Sequence, residues 1–143
     1  MRTSQKGINL IKEFEGFRPT AYRCWAGVLT IGYGHTSGVS CSQVVTEQQA
    51  EDLLRIDLVD AEAAVNRYVK SELKQTQFDA LVSFVFNCGS GNFLKSTLLK
   101  RVNANPNDPT IREAFMMWNK SKGNVLKGLT RRRTAEADLY FSA

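Results

Sequence analysis

Apolar residues mark out the chain before any single residue does. Ile8, Ile11 and Phe14 recur at helical spacing, with Leu10 beside them, behind the N-cap candidates Thr3 and Ser4. The spacing predicts a helix over about 4–14, stopped by Gly16, with Glu15 at its C-terminal end. Residues 17–45 lose that period. Pro19, Gly27, Gly32, Gly34 and Gly38 punctuate short runs of Tyr, Val, Thr and Ile, the pattern of a small antiparallel sheet with tight turns. Thr46 then opens a capping box with Gln49, and Leu53, Leu54, Leu58, Ala61, Val65, Tyr68 and Val69 follow with no Gly or Pro. This predicts one long helix over about 46–69, spanning about 36 Å.

Four shorter helices are expected beyond it. Residues 75–88 are apolar enough for a core helix, ended by Gly89 and Gly91. Ser96 caps STLLKRVN. Asp108-Pro109 opens a helix through Trp118, ending before Gly123, and the last runs from Thr130 through TRRRTAEADLYF. The fold class is α+β, in a single domain of two lobes. A small antiparallel sheet lobe covers about 17–45. A larger helical lobe covers about 70–143 together with the first helix. The long helix joins them, and a cleft is expected between them.

Composition adds limits. At 143 residues the chain is long enough for a real hydrophobic core. Its apolar content of 43% contains no run near the roughly 20 residues of a membrane span, so stable membrane insertion is not expected. The N-terminal MRTSQKGINL lacks the apolar core of a signal peptide, so synthesis in the cytoplasm without a visible export signal is expected. A net charge of +5 favours anionic partners: nucleic acid, a membrane surface or an acidic wall polymer. Cys24, Cys41 and Cys88 have no metal-ligand spacing. Three reduced thiols is one reading, and a Cys24–Cys41 bridge with Cys88 free is the other. No cofactor or metal is expected; a lone histidine, His35, makes a poor metal site.

Candidate chemistry concentrates in residues 15–36, EGFRPTAYRCWAGVLTIGYGHT. A carboxylate at the partly negative C-terminal pole of a helix is favoured in its protonated form, which a general acid requires. Cys24 follows Glu15 by nine residues and Thr30 by fifteen; a hairpin folding back would bring both toward Glu15. Spacing alone also fits a solvated surface glutamate.

Glu15-Gly16, Tyr22, Cys24, Thr30 and the run TIGYGHT at 30–36 resemble the lysozyme (muramidase, endolysin) family of tailed phages. The likeness continues through QFDALVSFVFNCG at 77–89, NFLKSTLLKRVN at 92–103 and GLTRRRTAEADLYF at 128–141. It implies hydrolysis of the β-1,4 bond between N-acetylmuramic acid and N-acetylglucosamine in peptidoglycan, on the cell wall after release. Glu15 would be the general acid and Thr30 would position the attacking water. Where the family usually has Asp, this chain has Cys24, which could act as base or as nucleophile. A disulfide to it, with Cys41 as partner, would make it a redox gate.

The resemblance further implies substrate contacts from Gly34, Phe86 and Ser96. It also implies a structural ion pair between His35 and Asp57, and an arginine of the 131–133 run, Arg132, tuning the protonation of Glu15. Trp25 reads as a packing residue of the sheet or as a sugar platform. Peptidoglycan is the expected partner and a monomer the expected state. The alternatives are a catalytically weak lysozyme-fold module that binds peptidoglycan, kept open by Cys24, and a nucleic-acid-binding protein using Arg131–Arg133. The second lacks aromatic residues interleaved with the basic run, so no nucleic-acid partner is expected.

Overall fold

The computed structural model describes residues 1–24 and 26–143; Trp25 lies outside the described residues. The chain divides into two units, Ile11–Val59 and Met1–Leu10 with Asp60–Ala143.

The smaller unit begins inside α1 (Gln5–Glu15). Gly16 ends that helix: its N–H bonds Lys12 O at 2.9 Å and its φ of +74° is open to glycine at little cost. β1 (Arg18–Arg23) and β2 (Leu29–Gly32) then pair antiparallel, with Tyr22 opposite Thr30 and Arg23 opposite Leu29. The register slips between Arg18 and Tyr22, and an isolated bridge joins Thr20 to Val44. β2 turns back on itself through reciprocal bonds between Ile31 and His35, each 2.9 Å. α2 (Glu47–Asp57) starts from the expected capping box. Thr46 Oγ1 accepts from Gln49 N at 3.1 Å, and Gln49 Oε1 accepts from Thr46 N at 2.9 Å. Gly32 decides how closely β2 packs on α2, since a Cβ there would stand 3.1 Å from Ala50 Cβ. Ile31, Tyr33, Val45, Ala50, Leu54 and Leu58 form the buried interior of this unit.

The larger unit is helical. It holds α3 (Val59–Tyr68), α4 (Gln75–Cys88), α5 (Ser90–Leu94), α6 (Thr97–Ala104), α7 (Ile111–Met116) and α8 (Lys127–Tyr140). A hairpin of β3 (Lys120–Ser121) and β4 (Asn124–Val125) precedes α8. α4 is buried without a break from Gln77 to Val85, so it is a core helix rather than an amphipathic one. Phe84 meets Phe93, Phe115 and Trp118 at ring separations of 5.7–6.1 Å, tilted against Phe93 and edge-on to Phe115 and Trp118, the geometry that aromatic quadrupoles favour. The chain's first residues are fixed to this core. Thr3 N and Oγ1 both donate to Glu62 Oε2 at 2.7 Å, and Ser4 N donates to Asp79 Oδ1 at 3.0 Å. A Cβ on Gly7 would lie 2.7–2.8 Å from Thr3 and Asp79, so no larger residue fits.

Several expectations change. The single helix over 46–69 is two, α2 and α3, separated at Leu58. No Gly or Pro marks the break, and the buried stripe Ala50, Leu54, Leu58, Ala61 and Val65 keeps helical spacing across it. Pattern therefore hides the interruption. Gly89 ends α4 with φ +92°, but Gly91 lies inside the unforeseen α5. α7 starts at Ile111 because Asp108 accepts from both Thr110 N and Thr110 Oγ1, forming a turn instead of a cap. α8 starts at Lys127, before Thr130. Cys88 is half-buried at the end of α4.

Candidate active site

Glu15 closes α1 and is half-buried. Three contacts hold the helix end against the Ile31–His35 turn. Phe17 packs on Tyr33 with ring centroids 5.6 Å apart. Lys12 Nζ lies over the same ring at 5.5 Å and pairs with Glu51 on α2. Gly34, at φ +88°, comes so close to the catalytic candidate that a Cβ there would sit 3.4 Å from Glu15 Oε1. Gly34 is exposed, so bare backbone lies beside that carboxylate edge.

Cys24 follows β1 directly. Its N–H bonds Val28 O at 3.0 Å, and Gly27 N–H bonds Cys24 O at 2.8 Å, so the chain turns tightly back into β2. Backbone donors at Val28 and then Ala26 hold the Cys24 thiol below its ordinary value of 9.0, against a small opposing effect of desolvation, and the Thr30 side chain adds to the lowering. Thr30 is 4% exposed and its hydroxyl donates to Val28 O at 3.0 Å. Cys24 and Cys41 are both free thiols, so the alternative Cys24–Cys41 bridge is not formed in this structure.

His35 is 8% exposed. Nδ1 lies 2.8 Å from Asp57 Oδ2 and Nε2 lies 2.8 Å from Ser37 O. The ring joins the sheet segment to the end of α2 and has both nitrogens occupied.

The remaining candidates belong to the larger unit. Phe86 is half-buried in the last turn of α4. Ser96 is the N-cap of α6. It is 2% exposed; its Oγ accepts from Leu99 N at 3.0 Å and donates to Phe93 O at 2.7 Å. Arg132 is 5% exposed on α8, its Nε 3.4 Å from Glu136 Oε2 and its Nη2 3.3 Å from Ser83 Oγ.

Sequence reasoning missed the group this arginine joins. Glu136 is fully buried, accepts from Ser83 Oγ at 2.5 Å, and faces Arg133 Nε across 3.3 Å. Burial pushes its carboxyl up, while Arg133 and Arg132 pull it back. Arg133 is also fully buried. It donates to Cys88 Sγ at 2.8 Å and to Asn87 Oδ1, with its guanidinium carbon 5.2 Å from the centre of the Phe84 ring. The available signal was the placing of Glu136 three and four residues after two arginines. Among the described residues, no three His, Cys, Asp or Glu gather to hold a metal ion, and no helix is long and apolar enough to cross a membrane.

Comparisons with known proteins identify the family. Residues 12–136 match the family model described as phage lysozyme. The chain is 45% identical to an endolysin of Acyrthosiphon pisum secondary endosymbiont phage 1, over the whole of both chains. It is 46% identical to an endolysin of Bacillus phage B103 over 99% of this chain and 55% of that one, so it spans about half of that relative's length. In structure it is similar to the muramidase domain of SpmX from Asticaccaulis excentricus, with 41% identity, a TM-score of 0.90 and 99% of each chain covered. The chain therefore belongs to the phage lysozyme family, the peptidoglycan-hydrolysing muramidases.

Proposed function

We propose that this chain cleaves the β-1,4 bond between N-acetylmuramic acid and N-acetylglucosamine, with Glu15 as general acid and Cys24 as general base. Glu15 protonates the glycosidic oxygen as the bond to the anomeric carbon breaks, and the leaving sugar departs with a free hydroxyl. Thr30 orients a water on the opposite face of the ring, and the Cys24 thiolate takes its proton as it attacks. The step ends with Glu15 as carboxylate, Cys24 as thiol and the anomeric centre inverted. Gly34 lets the glycan approach Glu15 along bare backbone.

The observation that carries this reading is the turn around Cys24. A base must be unprotonated when it acts, and the donors at Val28 and Ala26 favour the thiolate. The test is clearing of purified peptidoglycan by wild type, Glu15→Gln, Cys24→Ser and Cys24→Asp under reducing conditions, with the product anomer read by NMR. Activity should be lost in Glu15→Gln, reduced in Cys24→Ser and kept in Cys24→Asp, with inverted product. A retained anomer would make Cys24 a nucleophile, and full activity in Glu15→Gln would remove the acid from the mechanism.

A further inference from the structure

The chain's charge is gathered in one place. Between Glu113 and Glu136 there is no acidic residue, but Lys120, Lys122, Lys127, Arg131, Arg132 and Arg133 all fall there. Those six cations exceed the net charge of +5, so the rest of the chain sums to −1. Arg132 and Arg133 are buried around Glu136. The three lysines stand on or beside the β3–β4 hairpin, where every residue from 120 to 128 is exposed. No ion pair involves Lys120, Lys122 or Lys127 among the described residues.

This hairpin is built, not frayed. Lys120 pairs with Val125 and Ser121 with Asn124. Lys122 and Gly123, at φ +51° and +82°, make the two-residue turn with both centres left-handed that matches strand twist. Its base is fixed by Leu126 N to Asn119 O at 3.0 Å, by Asn119 Nδ2 to Thr130 Oγ1 at 3.2 Å, and by Trp118 packed on Phe84 in the core. On this fixed hairpin, apolar side chains are left in water: Val125 is 60% exposed and Leu126 43%. Val125 sits directly across the strands from Lys120.

We infer that the β3–β4 hairpin is a second binding surface, which docks on an anionic lipid bilayer. Lysines alone would suit any polyanion. Exposed valine and leucine beside them gain little from a charged phosphate polymer and more from the boundary between headgroups and acyl chains than from a hydrated sugar. The lysines supply attraction to acidic headgroups, which falls as salt screens it. This is surface docking and is independent of bond cleavage at Glu15.

The experiment is co-sedimentation of the full chain with vesicles of phosphatidylcholine, with and without about a third phosphatidylglycerol. Three proteins are compared: wild type, Lys120→Gln/Lys122→Gln/Lys127→Gln, and Val125→Ser/Leu126→Ser. Wild type should sediment with the anionic vesicles and not with neutral ones. Each lysine lost should weaken binding about fivefold, and all three about a hundredfold. The serine variant should keep a weaker, more salt-sensitive binding. Both variants should clear purified, lipid-free peptidoglycan as wild type does and melt at its temperature, which separates this surface from the active site. Absence of wild-type binding to anionic vesicles overturns the inference. So does loss of binding to lipid-free peptidoglycan in the lysine variant, which would make the wall polymer the partner.

Discussion

The turn at Cys24 and the end of α4 at Cys88 hold the same side chain in opposite surroundings. Cys24 faces backbone donors and water, and its thiol is pulled down from 9.0. Cys88 is pushed up from the same value by burial, although Arg133 lies directly against its sulfur and pulls the other way. A guanidinium 2.8 Å away is thus outweighed by loss of water, because the Arg133 charge is shared with Glu136. A nearby cation does not by itself make a thiol reactive; donors that remain committed to the sulfur do. The carboxylates repeat the contrast. Glu15 is half-buried beside the bare backbone of Gly34, while Glu136 is sealed among Ser83, Arg132 and Arg133.

The largest test of that contrast exchanges function for stability. Glu15→Gln should lower peptidoglycan clearing about 10²–10⁴-fold with little change in unfolding midpoint. Glu136→Ala should instead cost about 3–5 kcal/mol in urea unfolding, because two arginines lose their buried partner. If the two variants exchanged these phenotypes, the division into a working and a structural carboxylate would fail. His35→Ala comes next. Removing the ring leaves Asp57 and the Ser37 carbonyl without their partner, at about 1–3 kcal/mol. A melting point equal to wild type would mean that water replaces the ring fully.

The smallest effects concern pH. Alkylation by iodoacetamide, mapped by mass spectrometry, should reach half its maximal rate at lower pH for Cys24 than for Cys88. The stability slopes should oppose as well. A thiol raised on folding contributes stability below its unfolded value and loses it as pH climbs through the folded one. Cys88 therefore weakens the fold above the ordinary thiol range, and Cys88→Ala should flatten that alkaline decline. A thiol lowered on folding contributes above its unfolded value and loses it as pH falls, so Cys24→Ala should make the alkaline decline steeper.

What could be read from the sequence was what local chemistry decides. The Thr46–Gln49 box, the Ser96 cap and the bounds of α4 each follow from residues within a few positions. The small antiparallel pair around Tyr22 and Thr30 followed from turn residues and short runs of Tyr, Val, Thr and Ile. What escaped was decided by packing. Nothing at Leu58 breaks a helix by propensity, and its stripe is continuous. Arg133 stood in the sequence as one of three successive arginines, and only the packing of α4 and α8 shows that it is fully buried. The donors around Cys24 are backbone groups of Val28 and Ala26, which no side-chain motif records.

The clamps on the N-terminus fix an order of events during synthesis. Thr3 and Ser4 bond to Glu62 and Asp79, so the first turn of α1 cannot reach its partners until those residues have left the ribosome. Ile11–Val59 is complete before then, and α8, which supplies Arg133 and Glu136, is translated last. At about 5–20 residues per second, the segment with Glu15, Cys24 and Thr30 exists for several seconds before the helical core can close. Thr3 and Ser4 wait only for Glu62 and Asp79, whereas the core they dock on waits for α8.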